Sequence, residues 1–284
     1  MDQEVVNVIC LKWGVRYPSF YVNRLYAGVK KHLSRPFRFI CVTDDPFGLD
    51  PEIEDIRFQD DDVIPEKLQL GYFTKLLLTK DGYADFTGPT LFLDIDQVIV
   101  GSLDKFFDYK PGRNCIIHNW LPAYKTLFRE APIVGNSSVF RFEAGKSHYI
   151  YETFCQEWEQ AIDRKHFRTE QAFLTHAMGE NREWWPEEWV QSVKRHMIPT
   201  FPLNLFMTKP LREECSIACF HGNPDPTQLI GGFFKGKAYR WMKEPEWFYK
   251  NWVEVEYSQR TPVQKKASWG YTDAEAQRNA KKAK

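Results

Sequence analysis

Apolar and polar positions alternate in blocks along the first part of the chain. The runs Glu4–Leu11 and Phe37–Thr43 are rich in β-branched and aromatic residues, and we expect buried strands there, with Ile53–Phe58 as a short third strand. Pro18–Leu33 and Glu66–Lys80 instead repeat apolar residues at helical spacing. Strands that alternate with helices in this way predict an α/β fold, in which a mostly parallel sheet is flanked by helices.

The second part of the chain continues this mixed pattern. It has no internal repeat and no Ser/Gly-rich linker, so a single domain is expected over residues 1–257. Residues 258–284 are polar and rich in Lys, Ala and Gln, and we expect a mobile C-terminal tail there. Further strands are expected at Asn114–His118, Ser137–Phe142 and Cys215–His221, and helices at Ser147–Arg164 and Thr169–Met178.

One predicted strand carries two acids. Leu91–Val100 is an apolar run interrupted by Asp94 and Asp96, and residues two apart in a strand point to the same face. Burying two ionised carboxylates without a partner would cost on the order of several kcal/mol. Because hard oxygen ligands suit Mn²⁺ or Mg²⁺, the pair indicates a metal clamp at the carboxyl end of the strand, with a solvated strand end as the alternative.

A histidine near the end of the chain is a candidate third ligand. His221 ends the last apolar run and precedes a Gly/Pro-rich turn, and an imidazole added to two carboxylates gives a mixed site that suits Mn²⁺. Taken alone, it would be an ordinary turn residue. Cys215 and Cys219 precede it with a spacing that matches no common zinc site, and alternate strand positions explain both as core residues.

Three polar segments have an ordinary explanation beside a functional one. Thr169 can cap the helix that follows it, and Glu170 favours the positive end of the helix dipole, so the pair Glu170-Gln171 needs no further role. Asn136 and the serine after it could form a turn before a strand. The aromatic and acidic stretch 183–189 is either a packed flap or a surface that meets an acceptor.

Composition narrows the class of partner. Lys plus Arg and Asp plus Glu number 38 each, and a net charge of zero weighs against nucleic acid binding. The aromatic content of 16% fits either a cleft for sugar faces or a large aromatic core. No apolar run approaches the roughly 18 residues of a transmembrane segment. The cysteines of the apolar runs behave as small hydrophobes, and a reducing cytoplasm is the expected compartment.

Taken in chain order, these segments resemble the GT-A-fold glycosyltransferases. The most similar group is family eight with its bacterial and phage relatives, which includes glycogenin and the lipopolysaccharide galactosyltransferases. The resemblance covers about residues 4–250 and implies a single-domain, Rossmann-like fold. The segments that carry it are Leu11–Gly14, Thr43–Asp45, Phe92–Asp96, Asn136-Ser137, Glu170-Gln171 and Phe220–Gly222.

The resemblance implies a function and roles for individual residues. It implies transfer of a sugar, with retention of configuration, from a nucleotide diphosphate such as UDP to a glycan, a lipid-linked sugar or another acceptor. Asp94, Asp96 and His221 would hold Mn²⁺ or Mg²⁺, and Gln171 and Glu170 would lie beside the transferred sugar. The residues implied to contact the nucleotide sugar are Leu11, Trp13, Thr43, Asp44, Asp45, Lys75, Asp94, Asn136 and Ser137.

The sequence departs from the family pattern at two places. Glu170 stands where the relatives have Asp. After His221 the family often continues Gly-x-x-Lys, whereas this chain continues Gly-Asn-Pro-Asp-Pro. The lysine that would neutralise the diphosphate is therefore missing at its expected place, and Lys235 or Lys237 could substitute for it.

Two other functions compete with this prediction. A haloacid-dehalogenase-type phosphohydrolase also places Asp-x-Asp after an apolar strand. That superfamily favours Gly after the second acid, where this chain has Gln97, and it usually carries the motif in its first strand. A non-catalytic module that binds a sugar or a nucleotide is the third alternative, against which the intact set of Asp94, Asp96 and His221 argues.

Overall fold

The computed structural model describes residues 4–58, 73–120, 134–167, 169–230 and 237–254. The predicted helix start at Glu66, the residue Lys235 and the predicted tail lie outside these ranges. The strands are β1 Val6–Lys12, β2 Phe37–Thr43, β3 Glu54–Arg57, β4 Gly88–Leu93, β5 Val98–Ile99, β6 Asn114–His118, β7 Gly135–Ala144, β8 Arg182–Trp184, β9 Val190–Ser192 and β10 Ile217–Cys219. The α-helices are α1 Phe20–His32, α2 Thr74–Leu77, α3 Asp104–Asp108, α4 His148–Ile162, α5 Glu170–Ala177, α6 Pro226–Leu229 and α7 Glu246–Phe248.

A seven-stranded central sheet organises the chain, in the order β3-β2-β1-β4-β7-β6-β8. The pairs β1–β2, β2–β3, β1–β4 and β6–β8 are parallel, whereas β7 runs antiparallel to both β4 and β6. The predicted α/β fold with a mostly parallel sheet is therefore confirmed. None of the helices in the described ranges combines the length and the apolar character of a membrane span.

The sheet is buried on both faces, as the continuous apolar runs of its strands predict. Along β1, Val8 and Cys10 pack into one core cluster together with residues of α1, while Ile9 and Leu11 pack into a second cluster with residues of α4 and α5. Because successive strand residues point to opposite faces, an unbroken apolar strand serves both clusters at once.

A smaller three-stranded sheet has the order β5-β10-β9. β10 runs antiparallel to β5 and parallel to β9. The sequence predicts one strand over Leu91–Val100, and this prediction is wrong. β4 ends at Leu93, the backbone turns through a hydrogen bond from the amide of Gln97 to the carbonyl of Asp94 (3.2 Å), and β5 then joins the smaller sheet. Strand alternation therefore does not place Asp94 and Asp96 together; the turn does.

Two further local expectations are settled by the fold. Asn136 and Ser137 lie inside β7 and not in a turn before it, so the turn explanation is wrong. The stretch 183–189 is packed: Trp185 is buried and lies edge-on to Phe106 with ring centroids 4.9 Å apart. The large aromatic content thus serves the core at this place.

Candidate active site

The edge of the sheet where β1, β2 and β4 end is a topological switch point. The chain passes from β1 outward to β2 and β3, and then returns to the other side of β1 to form β4. Open α/β sheets bind ligands in the crevice that forms where the strand order reverses in this way. Because β7 is antiparallel to β4, its first residues lie at the same edge, and the amide of Asp94 donates to the carbonyl of Ser138 (2.9 Å).

A buried lysine pairs with the first acid of the motif. Lys75, on α2, places Nζ 2.8 Å from Oδ1 of Asp94, and their side chains are 7% and 30% exposed. The ammonium also donates to the carbonyl (3.2 Å) and the hydroxyl (3.3 Å) of Ser137. Although burial opposes the charge, the carboxylates of Asp94 and Glu170 raise the pKa of Lys75. Lys75 is therefore a fixed positive charge at the switch point.

Glu170 belongs to the same network. The hydroxyl of Ser137 donates to Oε2 of Glu170 at 3.0 Å, and the glutamate side chain is buried although it begins a helix. Burial raises the pKa of Glu170 to about 7, and Lys75 opposes that rise. Thr169 caps α5, since its hydroxyl accepts from the amide of Ala172 (3.3 Å). The capping expectation thus holds for Thr169, whereas Glu170 faces the buried network instead of solvent.

Asp96 belongs to the same turn and lies within electrostatic range of Cys219, on β10 of the smaller sheet. Its Oδ1 accepts from Nε2 of Gln97 (2.8 Å), which also donates to the carbonyl of Phe220 (3.3 Å). Burial, followed by the charges of Asp94 and Asp225, raises the pKa of Asp96 to about 8. The buried Gln97 therefore connects the acidic motif to the residue before His221.

The two carboxylates fit a divalent cation. Their mutual repulsion and partial burial disfavour two ionised groups side by side, and a bound cation would remove that penalty. Mg²⁺ and similar ions are commonly held by one or two carboxylates together with substrate phosphates, and not by an all-protein cage. Within the described ranges, no three His, Cys, Asp or Glu side chains form a ready-made metal site.

His221 is fixed by two neighbours. Its Nε2 lies within hydrogen-bonding distance of the hydroxyl of Ser192, which also accepts from the amide of Arg195 (3.1 Å). The ring of Trp120 stacks on the imidazole with centroids 5.6 Å apart. Burial, followed by the charges of Lys194 and Arg195, lowers the pKa of His221 to about 4, so the ring is neutral at physiological pH. A neutral imidazole is the form that ligates a metal. Its place beside Asp94 and Asp96 stays a prediction.

Both cysteines that precede His221 behave as core residues. Cys215 and Cys219 are buried, and each thiol lies near a backbone carbonyl, that of Ile217 for Cys215 and that of Phe220 for Cys219. Burial raises the pKa of both thiols, which favours the neutral form over the thiolate that zinc requires. The structure therefore favours the core explanation over a zinc site.

Several residues expected to contact the nucleotide sugar lie at the ends of β1 and β2. Both oxygens of Asp44 accept from the amide of Gly14 (3.1 and 3.0 Å), which joins the two strand ends. Asp45 forms two local hydrogen bonds: its Oδ1 accepts from the amide of Phe47 (2.9 Å), and its carbonyl accepts from the buried Thr43 hydroxyl (3.0 Å). These contacts hold the loop in shape.

The remaining expected residues differ in how far they are exposed. Trp13 is partly exposed and lies edge-on to Phe58, whereas the side chain of Leu11 is buried in the core, so a ligand could meet Leu11 only through its backbone. Asn136 is buried, and its Oδ1 accepts from the amide of Ser138 (2.9 Å). The side chain of Gln171 is partly exposed. The structure thus ties Glu170, and not Gln171, to the Lys75–Asp94 pair.

Sequence reasoning missed a third acid. Asp225 occupies the position of the lysine in the family pattern Gly-x-x-Lys and lies within electrostatic range of Asp96. It accepts from the hydroxyl of Tyr21 and caps α6, whose capping box it forms with Gln228. The position therefore carries a reversed charge. Of the suggested substitutes, Lys237 is exposed and lies over the ring of Tyr239.

Structural comparison relates this arrangement to known proteins. The chain is similar to the galactosyltransferase LgtC in complex with donor and acceptor sugar analogues, with 14% identity, 78% of this chain and 88% of that chain covered, and a TM-score of 0.54. It is also similar to the apo bifunctional glycosyltransferase WbbM, with 13% identity, coverages of 88% and 50%, and a TM-score of 0.56. Apo GlyE from Streptococcus pneumoniae TIGR4 has 14% identity, coverages of 78% and 55%, and a TM-score of 0.51.

These similarities establish the fold. The chain has the fold of these glycosyltransferases, as the resemblance to family eight predicts, and it spans about half the length of WbbM and of GlyE. No protein-family model matches the sequence, and no curated protein matches it in sequence either.

Proposed function

We propose that this chain is a metal-dependent glycosyltransferase that moves a sugar from a UDP-sugar to an acceptor with retention of configuration. The observation that carries the proposal is the Lys75–Asp94 pair at the switch point of a glycosyltransferase fold, joined through Ser137 to the buried Glu170. A motif with two acids recurs in many folds, whereas this edge of this fold is where a nucleotide would bind.

The charges at the site suit a diphosphate. Cleavage of the anomeric C–O bond builds negative charge on the leaving diphosphate, and fixed positive charge aimed at that group lowers the barrier. Lys75 supplies one such charge. Lys194 and Arg195 lie within electrostatic range of His221 and supply two more positive charges. We propose that they take the role of the family lysine, whose position Asp225 occupies in this chain. Mn²⁺ or Mg²⁺ held by Asp94 and Asp96, with His221, would add Lewis-acid stabilisation of the same charge.

We propose that residues at the start of α5 contact the transferred sugar. The anomeric centre becomes oxocarbenium-like as the donor bond breaks, and an amide or carboxylate oxygen nearby stabilises it. We assign this role to Gln171, together with its neighbour Glu170. Gln171 is a poor nucleophile, so we favour a front-face displacement. The acceptor hydroxyl bonds to the anomeric carbon on the face that UDP leaves, and its proton passes to the departing phosphate oxygen.

Donor chemistry provides the test. In calorimetric titrations, UDP should bind in the presence of Mn²⁺ and much more weakly without it. At a hundredfold excess over its dissociation constant, the donor should stabilise the protein by about 2.7 kcal/mol. In the absence of an acceptor, the enzyme should slowly release free sugar and UDP from a UDP-sugar.

The same assay separates the competing functions. A phosphohydrolase would release inorganic phosphate from phosphomonoesters and form an aspartyl-phosphate at Asp94, and that result would refute the transferase. Binding of UDP-sugars without any turnover, with or without acceptors, would favour the non-catalytic module. The six cysteines are unpaired thiols, which supports our proposal that the reaction takes place in the cytoplasm.

A further inference from the structure

The loop after the helical turn Val193–Met197 exposes four large apolar side chains. Phe201, Leu203, Phe206 and Met207 are 52%, 56%, 75% and 51% exposed. Single exposed apolar residues are ordinary on a protein surface, but four of them within seven consecutive residues indicate an interaction site. We refer to residues 201–207 as the apolar loop.

The apolar loop is held in place from beneath. Its two ends are closed by a hydrogen bond from the amide of Lys209 to the carbonyl of Met197 (3.1 Å). Asn204, at its centre, is fully buried and donates to the carbonyls of Ala238 and Trp241, both at 2.8 Å. These two hydrogen bonds tie the centre of the apolar loop to the segment 238–241.

Cations predominate in the two segments beside this loop. The segments 193–212 and 237–243 contain no acid, although Glu213, Glu214 and Glu244 follow them directly and the whole chain has no net charge. Lys194 lies within electrostatic range of Arg195 and Arg240, and His196 within range of Lys209 and Arg212, with Glu187 as an opposing charge. Lys194 and Arg195 are assigned to the diphosphate, and the other cations of the two segments, which we call the cationic rim, are Lys209, Arg212, Lys237, Arg240 and Lys243.

We propose that the apolar loop and the cationic rim dock on the surface of an anionic phospholipid bilayer. Apolar side chains that enter the boundary between headgroups and acyl chains, beside Lys and Arg that meet anionic headgroups, form the usual pattern of interfacial binding. A second copy of this chain is a poorer occupant, since symmetric pairing would bring two cationic rims together. Nucleic acid would satisfy the cations but would leave the exposed Leu203 and Met207 without a suitable partner.

The docking surface is continuous with the candidate active site. The helical turn Val193–Met197 follows β9 directly, and its cap Ser192 is hydrogen-bonded to His221. A bilayer on the apolar loop would therefore hold the His221 side of the site close to the membrane. That step, which makes the acceptor a lipid-linked sugar, rests on the proposed function; the docking itself rests only on the loop and its rim.

Vesicle co-sedimentation of the full-length protein tests the docking. Wild type should bind vesicles that contain 30 mol% phosphatidylglycerol in phosphatidylcholine, should bind pure phosphatidylcholine weakly, and should be released by high salt. Lys209→Glu/Arg212→Glu should lower the affinity by about 25-fold or more, given about fivefold per cation removed. Leu203→Ser/Phe206→Ser should lower it by about tenfold or more, because two inserted side chains are lost.

Matched variants on other surfaces provide the controls. Val5→Ser removes an apolar residue of similar exposure (51%), and Lys146→Glu reverses an exposed charge; both should bind like wild type. Circular dichroism melting checks that each loop variant is folded. Acceptor-free hydrolysis of UDP-sugar without vesicles tests the transferase separately and should be the same in all variants.

Three results would overturn the docking proposal. The first is no binding of wild type to anionic vesicles, and the second is binding that the loop and rim variants leave unchanged, which would place the contact elsewhere. The third is a dimer, detected by sedimentation velocity, that Leu203→Ser/Phe206→Ser abolishes, which would make the loop an interface between two copies.

Discussion

Lys75 and Asp94 form an ion pair between α2 and the turn after β4, with Nζ and Oδ1 2.8 Å apart. The pair joins a helix residue to a strand end nineteen positions later in the chain, and it fixes both side chains before any ligand arrives. It therefore preorganises one positive and one negative group at the switch point.

The energetic coupling of this pair can be measured by a double-mutant cycle. Lys75→Met and Asp94→Asn should each destabilise the protein. The coupling energy between them should be about 1–3 kcal/mol, which is less than for a fully buried pair because Asp94 is partly exposed. Urea unfolding measures it. The exposed pair Lys30–Glu52 serves as the control and should show a smaller coupling. Additive effects at Lys75 and Asp94 would show that the pair is not coupled.

Loss of either acid should abolish cation-dependent donor binding. Asp94→Asn or Asp96→Asn should remove the Mn²⁺-dependent part of UDP affinity, because an amide is a much weaker ligand for a hard cation than a carboxylate. Calorimetric titration of UDP with and without Mn²⁺ measures this effect. Asp81→Asn, at an exposed position, should behave like wild type. Wild-type turnover in either site variant would refute the metal clamp.

Glu170 should make the stability depend on pH. Its pKa is about 7 in the folded protein against 4.5 as the ordinary value, so the folded state keeps a proton that the unfolded state releases as the pH rises through this interval. Folding stability should therefore fall between about pH 4.5 and pH 7, by about 3 kcal/mol at 1.36 kcal/mol per pKa unit.

A glutamine at the same position tests that prediction. Glu170→Gln keeps an acceptor for the Ser137 hydroxyl and cannot ionise, so the variant should gain stability over wild type at pH 8 and not at pH 4.5. Urea unfolding at both pH values measures the gain. Glu180→Gln, at an exposed position, should retain the pH dependence of wild type. Equal pH profiles for Glu170→Gln and wild type would place the ionisation elsewhere.

Ser192 should strengthen the binding of Mn²⁺ by His221. If Nε2–H of the imidazole donates to the Ser192 hydroxyl, Nδ1 stays free to ligate, and Ser192→Ala should weaken Mn²⁺ affinity by roughly 10-fold or more, as for other partners that orient a metal ligand. His221→Ala should weaken it by roughly 10- to 100-fold. Ser192→Thr retains the hydroxyl and should bind Mn²⁺ like wild type. A Mn²⁺ titration unchanged by His221→Ala would return this residue to the status of a turn residue.

Gln171 should affect turnover and not nucleotide binding. If its side chain lies against the transferred sugar, Gln171→Ala should lower kcat by roughly one to three orders of magnitude while UDP affinity stays nearly intact, because the group would act on the sugar alone. Steady-state kinetics beside UDP calorimetry separate the two effects. Gln156→Ala, exposed on α4, is the control. Equal kcat in Gln171→Ala and wild type would leave the residue as a plain part of the helix start.

Local pattern was sufficient for most of the fold. The run of β-branched and aromatic residues at Phe37–Thr43 coincides with β2 at both ends, and Pro18–Leu33 brackets α1 closely. Each of these elements buries one or two apolar faces. Residues on the same face recur at every second position in a strand and at every third or fourth position in a helix, so the sequence shows the pattern directly. The sequence also predicts the acidic pair at the carboxyl end of a strand, although it extends that strand to Val100, whereas β4 ends at Leu93.

Tertiary structure decided which of these groups meet. No local pattern reveals that β7 runs antiparallel beside β4. That pairing brings Ser137 to Lys75 and Glu170, so that the glutamate expected only to favour the helix dipole becomes part of a buried network. The split of the predicted strand at Leu93 has the same origin, since Val98 and Ile99 find their partner in β10, more than a hundred residues later. Strand neighbours and buried ion pairs depend on contacts between distant segments, and only the folded chain brings those segments together.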